Sequence, residues 1–244
     1  MRLPIFLLSL TLSLSANGLD DLRAVLAKLR APEPVKVSLE HSFWKQIIDN
    51  KKPVISQGRV AAQVEENSLG LRISWSRPTL QQAARELDLQ ELEPDRATPT
   101  RTALKNVDAL EVGESLNHVE ALLRDLTQAQ VQEEKVETWQ GRPVKVLVLK
   151  LLPKIPDAQR KYMKEVKVEG KVWIGADGFP LAYSSLVAYT GSRLLISFEG
   201  GNAQDLQFAK VGNRLLVTHA TSEEHNAGFG ASTQTKKTMT LTLR

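Results

Sequence analysis

The sequence predicts an α+β domain built on one large, curved, antiparallel β-sheet, an incomplete barrel of about eleven strands covered by helices. After Lys161, the residues Val166, Val168, Val172 and Ile174 alternate with charged residues. Because successive side chains of a strand point to opposite faces, this alternation indicates a sheet with one buried and one solvated face. Short glycine-containing segments separate the alternating runs and indicate tight turns between antiparallel neighbours.

The N-terminus has the features of a secretory signal peptide, predicted at residues 1–15, with a single mature domain at 16–244. Arg2 gives the positive start, residues 5–14 are apolar apart from Ser and Thr, and small residues precede Ala16. An apolar run of about ten residues is too short for a bilayer-spanning helix, which needs about 20. The chain has no cysteine, which excludes a lipid anchor and disulfides and fits a bacterial periplasm. We therefore expect a soluble periplasmic protein.

The first part of the mature chain is predicted to contain one helix and three strands. Residues 19–29 have apolar side chains at helical spacing, with aspartates near the start of the run. Apolar and polar residues alternate over residues 35–48, 54–64 and 71–75, which predicts three strands. The amphipathic helix needs a partner for its apolar stripe, and the sheet provides one.

The middle of the chain, at about residues 79–130, is predicted to be a helical insertion. Thr79 and Gln82 have the spacing of a capping box. A weaker helix is predicted at 103–110 and a stronger one at 114–129, because apolar residues recur there at helical spacing. The stripe of the stronger helix consists of Leu116, Val119, Leu122, Leu123 and Leu126. The sequence leaves open whether these helices cover a cavity on the sheet or fill it.

Strands resume after the helices. Residues 131–139 and 143–152 flank a Gln-Gly-Arg hairpin signal, and the second run is apolar on both faces, which predicts a strand covered twice. Residues 161–244 are predicted to supply about six more strands. Their turns are predicted at Asp177-Gly178, Thr190-Gly191-Ser192, Gly200-Gly201-Asn202, Gly212-Asn213 and 226–230.

Charge and motifs exclude several function classes. The net charge is +4, and the tight lysine pairs are Lys51-Lys52 and Lys236-Lys237, which is not the pattern of a nucleic-acid-binding surface. No nucleophile elbow, phosphate loop or dinucleotide motif occurs. His219 and His225 flank Glu223-Glu224, but nothing else supplies the three or four converging ligands of a zinc site. We therefore predict a non-enzymatic protein without metal or cofactor.

Three short segments carry a family resemblance. Arg72-Ile73-Ser74-Trp75, followed by Pro78 and Gln82, is similar to an Arg/Phe-x-Trp…Pro…Gln element, and Gly58-Arg59-Val60 begins a strand after a hairpin. Residues 173–180 look like a later Asp-Gly turn of the same proteins. With the order of elements, these segments resemble the LolA/LolB-like half-barrels, a family of periplasmic lipoprotein carriers whose fold the RseB-type regulators share. The chain departs from the carriers in its helical insertion, and Arg59 and Arg72 are both candidates for the arginine that holds their lid closed.

The resemblance implies that the apolar concave face of the half-barrel receives acyl chains. The cavity-lining candidates are Leu71, Ile73, Trp75, Val166, Val168, Val172 and Ile174. Two interpretations stay open: a carrier that holds a lipid or acylated ligand, and a protein-interaction or regulatory module of the same fold without a lipid. A third possibility is that the helical leucines, Leu80, Leu87, Leu116 and Leu123 among them, fill the concave face completely. In each case we expect a monomer with no nucleic-acid partner.

Overall fold

The structure is a computed structural model that describes residues 18–29, 33–49, 52–153, 155–193 and 196–244. The predicted signal peptide lies outside these ranges. The strands are β1 (Val35–Asp49), β2 (Lys52–Asn67), β3 (Gly70–Ser74), β4 (Gln130–Trp139), β5 (Arg142–Lys150), β6 (Met163–Ile174), β7 (Pro180–Arg193), β8 (Ile196–Val211), β9 (Arg214–Gly228) and β10 (Ala231–Leu243). The helices are α1 (Gly18–Ala27), α2 (Arg77–Leu92), α3 (Pro99–Lys105), α4 (Ala109–Leu116), α5 (Val119–Leu126) and α6 (Asp157–Arg160).

All ten described strands form one antiparallel sheet, in the order β3-β2-β1-β10-β9-β8-β7-β6-β5-β4. Within the described ranges the sheet is open, with β3 and β4 at its edges. The pairing of β1 with β10 joins the first three strands to the remaining seven, and Leu39 lies opposite Leu241 in this pair. The predicted architecture of one antiparallel sheet with helices is confirmed, with ten strands instead of eleven.

The strand count was too high by one because the turn predicted at Gly200 and Gly201 lies inside a strand, while the turn predicted at Gly191 falls shortly before β7 ends at Arg193. Gly191 is in β7, and Gly200 and Gly201 are in β8. A Cβ atom on Gly200 would lie 2.5 Å from the hydroxyl of Tyr189, and one on Gly201 would lie 2.5 Å from the carbonyl oxygen of Val187. These glycines therefore mark close approach to a neighbouring strand, which a single sequence does not distinguish from a turn.

The helices of the middle region begin and end differently from the prediction. The N-cap of α2 is Ser76, whose hydroxyl accepts a hydrogen bond from the Thr79 amide at 3.3 Å, three residues before the predicted cap. The predicted helix at 114–129 is interrupted between Leu116 and Val119. The amide of His118 donates there to the carbonyl oxygen of Leu215 at 2.8 Å. This bond to β9 takes the place of a bond that would continue the helix.

The core lies on one side of the sheet, which we call the inner face. Its strand residues include Leu39, Leu206 and Tyr183, and α1, α4 and α5 cover them. The predicted stripe of the middle helices is buried, because Leu116, Val119, Leu122 and Leu126 are all 0% exposed. Helix α3 lies on β2 at Gly58, where an added Cβ would overlap the carbonyl group of Pro99.

The outer face of β5 is covered by side chains of neighbouring strands. Val146 is 0% exposed and lies opposite Trp173 of β6 in the strand register. The ring of Trp173 lies 5.6 Å from that of Trp139, and its Nε1 donates to a carboxylate oxygen of Glu137 at 3.1 Å. β5 is therefore buried on both faces. Tryptophans border its outer face, which is the face on which the neighbouring strand β6 carries its charged residues.

The two ends of the sheet differ in burial. Asp49 lies opposite Ala231, and Phe198 lies opposite Gly228, so the β1–β2, β7–β8 and β9–β10 connections lie at the same end. We call this the hairpin end. At the start of β1 every second side chain is buried, and its last residues are exposed. In β2 the first residues are exposed, and every second side chain is buried further along. On β1 and β2, the helices thus cover the half of the inner face away from the hairpin end.

Candidate functional site

An apolar cavity of about 370 Å³ lies on the inner face of β6 and β7. Val166 and Val168 of β6 line it beside Val187 and Tyr189 of β7. These four side chains share a face because Val166 pairs with Tyr189 and Val168 with Val187 in the antiparallel register. The volume falls in the lower part of the range for small-molecule pockets, roughly 300–1,000 Å³.

A β-bulge extends the apolar wall toward the hairpin end. The register of β6 shifts between Met163 and Glu165, so Lys164 is the extra residue. An extra residue reverses the alternation locally, and Met163 consequently lines the cavity together with Val166. A regular strand would have placed Met163 and Val166 on opposite faces.

The connection between β5 and β6 covers the cavity. We call its residues 151–153 and 155–162 the covering segment, and its lining side chains are Leu151, Leu152, Pro153, Ile155, Pro156 and Gln159. One end is tied to β6, where the Leu151 amide donates to the carbonyl oxygen of Val168 at 3.1 Å. The other end is tied to β7, where the Ser192 amide donates to the carbonyl oxygen of Tyr162 at 2.9 Å. The segment is thus held at both ends over the valines.

The end of the cavity away from the hairpin end, which we call its inner end, is polar. The hydroxyl of Tyr183 donates to the Asp125 carboxylate at 3.2 Å, which joins β7 to α5. Burial raises the pKa of Tyr183 above its ordinary value, and the charge of Asp125 and this hydrogen bond raise it further. Tyr183 therefore stays protonated and remains a donor at physiological pH. Ser185 also lines this end, so a ligand here would meet a carboxylate and hydroxyl groups.

The end of the cavity nearest the hairpin end is lined by Tyr189 and has cations nearby. The hydroxyl of Tyr189 donates to Asn226, and this end of the side chain lies where a Cβ on Gly200 would be. Burial raises the pKa of Tyr189, and the charge of Glu224 adds to this effect. Lys161 Nζ of the covering segment and Arg193 Cζ of β7 lie 5.0 and 5.1 Å from the ring centroid of Tyr162.

The seven residues predicted to line a cavity do not meet in one place. Val166 and Val168 line the cavity, whereas Val172 and Ile174, further along β6, are buried in the core at 0% and 5% exposure. Leu71, Ile73 and Trp75 lie on or just after the edge strand β3 and are packed against the core, far from β6 in the strand order.

The lining residues of β7 and of the covering segment were not among those predicted from the sequence. The alternation of Tyr183, Ser185, Val187 and Tyr189 along β7 was visible in the sequence and was a usable signal. The residues around Pro153 and Pro156 gave no such signal, because they read as a short connection. Their position over the valines depends on contacts between distant parts of the chain.

The inserted helices fill only part of the inner face. Leu116 is fully buried and Leu123 is partly buried against the core. Leu80 and Leu87 lie on α2 and remain 50% and 38% exposed. The expectation that all of these leucines fill the concave face is therefore wrong for the two on α2.

Neither candidate for a lid arginine lines the cavity. Arg59 is paired with Glu40 on exposed parts of β1 and β2, and Arg72 lies in β3 opposite Glu65. His219 contacts Thr240, with 3.1 Å between Nδ1 and Oγ1. Among the residues that the structure describes, no group of three or more His, Asp or Glu side chains is placed to hold a metal ion. In the same ranges, every helix is too short or too polar to cross a bilayer.

No family model and no curated protein matches the chain. Among solved structures, it is similar to a DUF1329 family protein from Desulfovibrio piger, with 11% identity, 90% of this chain and 89% of that chain covered, and a TM-score of 0.23. It is also similar to MucB in a crystal structure with MucA(peri), with 8% identity, 92% and 94% coverage, and a TM-score of 0.20. Both TM-scores are too low to carry an argument about function, which therefore depends on the residues of this chain.

Proposed function

We propose that the protein is a non-enzymatic periplasmic carrier that holds a lipid or acyl chain between β6, β7 and the covering segment. The observation that carries this proposal is the apolar cavity of about 370 Å³, which stays open although helices cover much of the inner face. Burying an acyl chain contributes about 0.8 kcal/mol per methylene group, so a chain in this cavity would bind without any specific polar contact. The sequence resemblance to the lipoprotein-carrier half-barrels supports the same class of ligand.

The charges around the cavity favour one orientation of an anionic lipid. Asp125 at the inner end would repel a phosphate or carboxylate head group. Lys161 and Arg193, at the end nearest the hairpins, would attract one, and these two cations outnumber the one carboxylate near Tyr189, Glu224. We therefore expect the acyl chain to run along Val166 and Val168 with its head group at the hairpin end.

Native mass spectrometry of protein purified from its own periplasm, with lipid extraction, tests the proposal. A bound lipid or acylated molecule of defined mass supports a carrier and identifies its cargo. Purification from the periplasmic fraction, with an N-terminus after residue 15, tests the predicted export at the same time. A ligand-free mass combined with no binding of a fluorescent fatty-acid probe would contradict the proposal.

A matched pair of variants locates the probe in the cavity. Val187→Trp places an indole in the cavity, whereas Leu186→Trp places one on the outer face of the same strand, where Leu186 is 42% exposed. Displacing about four methylene groups costs about 3 kcal/mol, or on the order of a hundredfold in Kd. We expect that loss for Val187→Trp and wild-type affinity for Leu186→Trp. Equal affinities for the two variants would place the probe elsewhere.

The alternative is a protein-interaction module, and the exposed leucines of α2 favour it. Glu86 is the buried residue of this helix, whereas Leu80, Leu87, Leu89 and Leu92 are 50%, 38%, 38% and 80% exposed. A partner that covers α2 would bury these side chains. If the protein from the periplasm is free of lipid and does not bind the probe, the module becomes the working function. Cross-linking from a photoreactive residue at position 92 would then identify the partner.

A further inference from the structure

Exposed apolar side chains are concentrated at the hairpin end. In the β1–β2 hairpin, Val54 and Ile55 are 62% and 54% exposed. Ile47 lies opposite Val54 on one face of the hairpin, and Ile48 lies on the other face with Ile55, so both faces are apolar. Because exposed apolar side chains occur on both the inner and the outer face, packing against one side of the sheet does not account for them.

The β9–β10 turn has a similar feature. Phe229 is 68% exposed and has a φ of 56°, between the last residue of β9 and Gly230, whose φ is 79°. A positive φ is unfavourable for a bulky residue, so neither backbone conformation nor core packing explains a phenylalanine here. Ile196, at the start of β8, is 40% exposed at the same end of the sheet.

The connections at this end are also basic. The described residues of these connections, 49, 52, 157–164, 193, 196 and 228–231, contain five cationic residues, namely Lys52, Arg160, Lys161, Lys164 and Arg193. The same segments contain two carboxylates, Asp49 and Asp157. Cations remain in excess when Glu165 and Glu199, the next carboxylates along β6 and β8, are included. This end therefore combines exposed apolar tips with positive charge, the combination that binds the interface of an anionic bilayer.

The cavity reaches the same end of the sheet. Met163 and Tyr189, which line it, lie at the hairpin ends of β6 and β7. The covering segment is tied beside them to Ser192, the residue before Arg193. A surface in contact with the hairpin tips would therefore lie next to this end of the cavity.

We propose that the hairpin end docks on the surface of an anionic lipid bilayer. The tips of the β1–β2 and β9–β10 hairpins enter the interfacial region, and Lys161, Lys164 and Arg193 contact lipid phosphates. The reason for docking rests on the proposed function, since it would bring the cavity to a source or destination of acyl chains. The docking itself depends only on the apolar tips and the basic connections.

Co-sedimentation with vesicles tests this proposal. One vesicle preparation contains phosphatidylglycerol and phosphatidylethanolamine, and the other contains phosphatidylcholine alone. The intact mature protein, freed of lipid, is expected to bind the anionic vesicles and to be released by high salt. No binding to anionic vesicles at low salt, or equal binding to both preparations, would overturn the proposal, and an acidic protein partner would then be the better occupant.

Two sets of variants separate the contributions of charge and apolar tips. Replacing Lys161, Lys164 and Arg193 by glutamine should weaken binding about a hundredfold, because each charge near an anionic surface contributes about fivefold. The matched control replaces Arg142, Lys145 and Lys210, which are exposed at the opposite end of the sheet. A loss in the control as large as in the first variant would overturn the proposal.

For the apolar tips, Ile55→Ser combined with Phe229→Ser should weaken binding at least tenfold. The control is Leu69→Ser, at a residue that is 96% exposed in the β2–β3 turn at the other end of the sheet. Val187→Trp distinguishes docking from cargo binding, because it should bind vesicles normally while losing the fatty-acid probe. If the wild type binds vesicles but not the probe, the result supports docking and contradicts the carrier proposal. If it binds the probe but not vesicles, the result contradicts docking alone.

Discussion

The hydroxyl of Tyr183 and the carboxylate of Asp125 form a hydrogen bond of 3.2 Å that links the sheet to a helix at the inner end of the cavity. Tyr183 is 1% exposed and belongs to β7, whereas Asp125 belongs to α5, so the bond joins parts of the chain that are distant in sequence. It therefore fixes the position of α5 over the cavity floor.

A double-mutant cycle measures this link. We expect Tyr183→Phe to lower the free energy of unfolding by about 2 kcal/mol, because hydrogen bonds to charged groups contribute about 1.5–3 kcal/mol. Combined with Asp125→Asn, the cycle should give a coupling energy of about 1 kcal/mol in urea unfolding. Strictly additive effects would show that the two side chains do not interact in solution.

The close approach of α3 to β2 predicts that Gly58 does not tolerate a side chain. In Gly58→Ala the new methyl group would overlap the carbonyl of Pro99, so α3 or β2 must shift. We expect a loss of roughly 1–3 kcal/mol in the free energy of unfolding, as for other overpacked sites.

Gly113 is the matched control for this substitution. It lies in α4, and a Cβ there would meet only Leu71 Cδ2 at an ordinary distance of 3.6 Å. Because alanine is the better helix former, Gly113→Ala should raise stability by about 1 kcal/mol. Similar losses for both variants would show that the contact with Pro99 is not the cause.

The carboxylate of Glu86 caps α3, and this predicts an acid-dependent contribution to stability. It accepts hydrogen bonds from the amides of Thr100 and Arg101 at 3.2 and 3.0 Å. Burial by itself would raise the pKa of Glu86, but the hydrogen bonds from Arg101, Thr100 and Gln82 outweigh it and lower the pKa below the ordinary value of 4.5. The contribution is therefore present above that value and is lost as the pH falls through the lower pKa of the folded state.

Unfolding of Glu86→Gln at two pH values tests this prediction. Near neutral pH the variant should be about 1–2 kcal/mol less stable than the wild type. At about pH 3 the difference should become smaller, because protonation weakens the wild-type carboxylate as an acceptor. A difference that does not change with pH would exclude a role for the charge.

Buried histidine predicts a second loss of stability in mild acid. His41 lies on the inner face of β1, is 5% exposed, and faces Glu111 and Lys237. Burial is the main cause that lowers the pKa of His41 below 6.5, with Lys237 in the same direction and Glu111 opposing them. Since the unfolded state then takes up the proton more readily, stability falls as the pH drops below 6.5.

The test compares unfolding at about pH 7 and about pH 5. In His41→Leu the decrease between these conditions should be smaller than in the wild type. The control is Met239→Leu at the position opposite His41 in β10, which changes packing without changing a titratable group. Met239→Leu should change the free energy of unfolding equally at both pH values. If stability decreases between the two pH values as much in His41→Leu as in the wild type, the acid sensitivity belongs to other groups.

The strands could be predicted from the sequence because their signal is local. The alternation at Val166 and Val168 shows which side chains share a face without knowledge of any partner strand. The glycine signals failed at Gly200 and Gly201 because glycine is selected both at turns and where strands approach closely. The break before Val119 was equally inaccessible, since it depends on a bond from His118 to a residue of β9.

The cavity itself could be predicted only in part. Leu71 and Val166 have the same alternating pattern, and only the order of strands in the sheet places one at an edge and the other in the cavity. That order depends on the pairing between β1 and β10, which leaves no pattern in either strand. The covering segment was missed for the same reason, because its function in the fold comes from where β5 and β6 place it.

The pairing of β1 with β10 also has a consequence for how the molecule folds. Residues such as Leu39 and Leu241 meet across nearly the whole length of the chain, which raises the contact order above that of sequential hairpins alone and predicts slower folding. β1, β2 and β3 join the rest of the sheet only when β1 pairs with β10, the last strand of the chain. Until then β1 has an open edge. A protein with this topology would need protection from aggregation during synthesis or translocation. We therefore expect chaperone binding at the unpaired β1 edge to be more important here than for a sheet assembled from sequential hairpins alone.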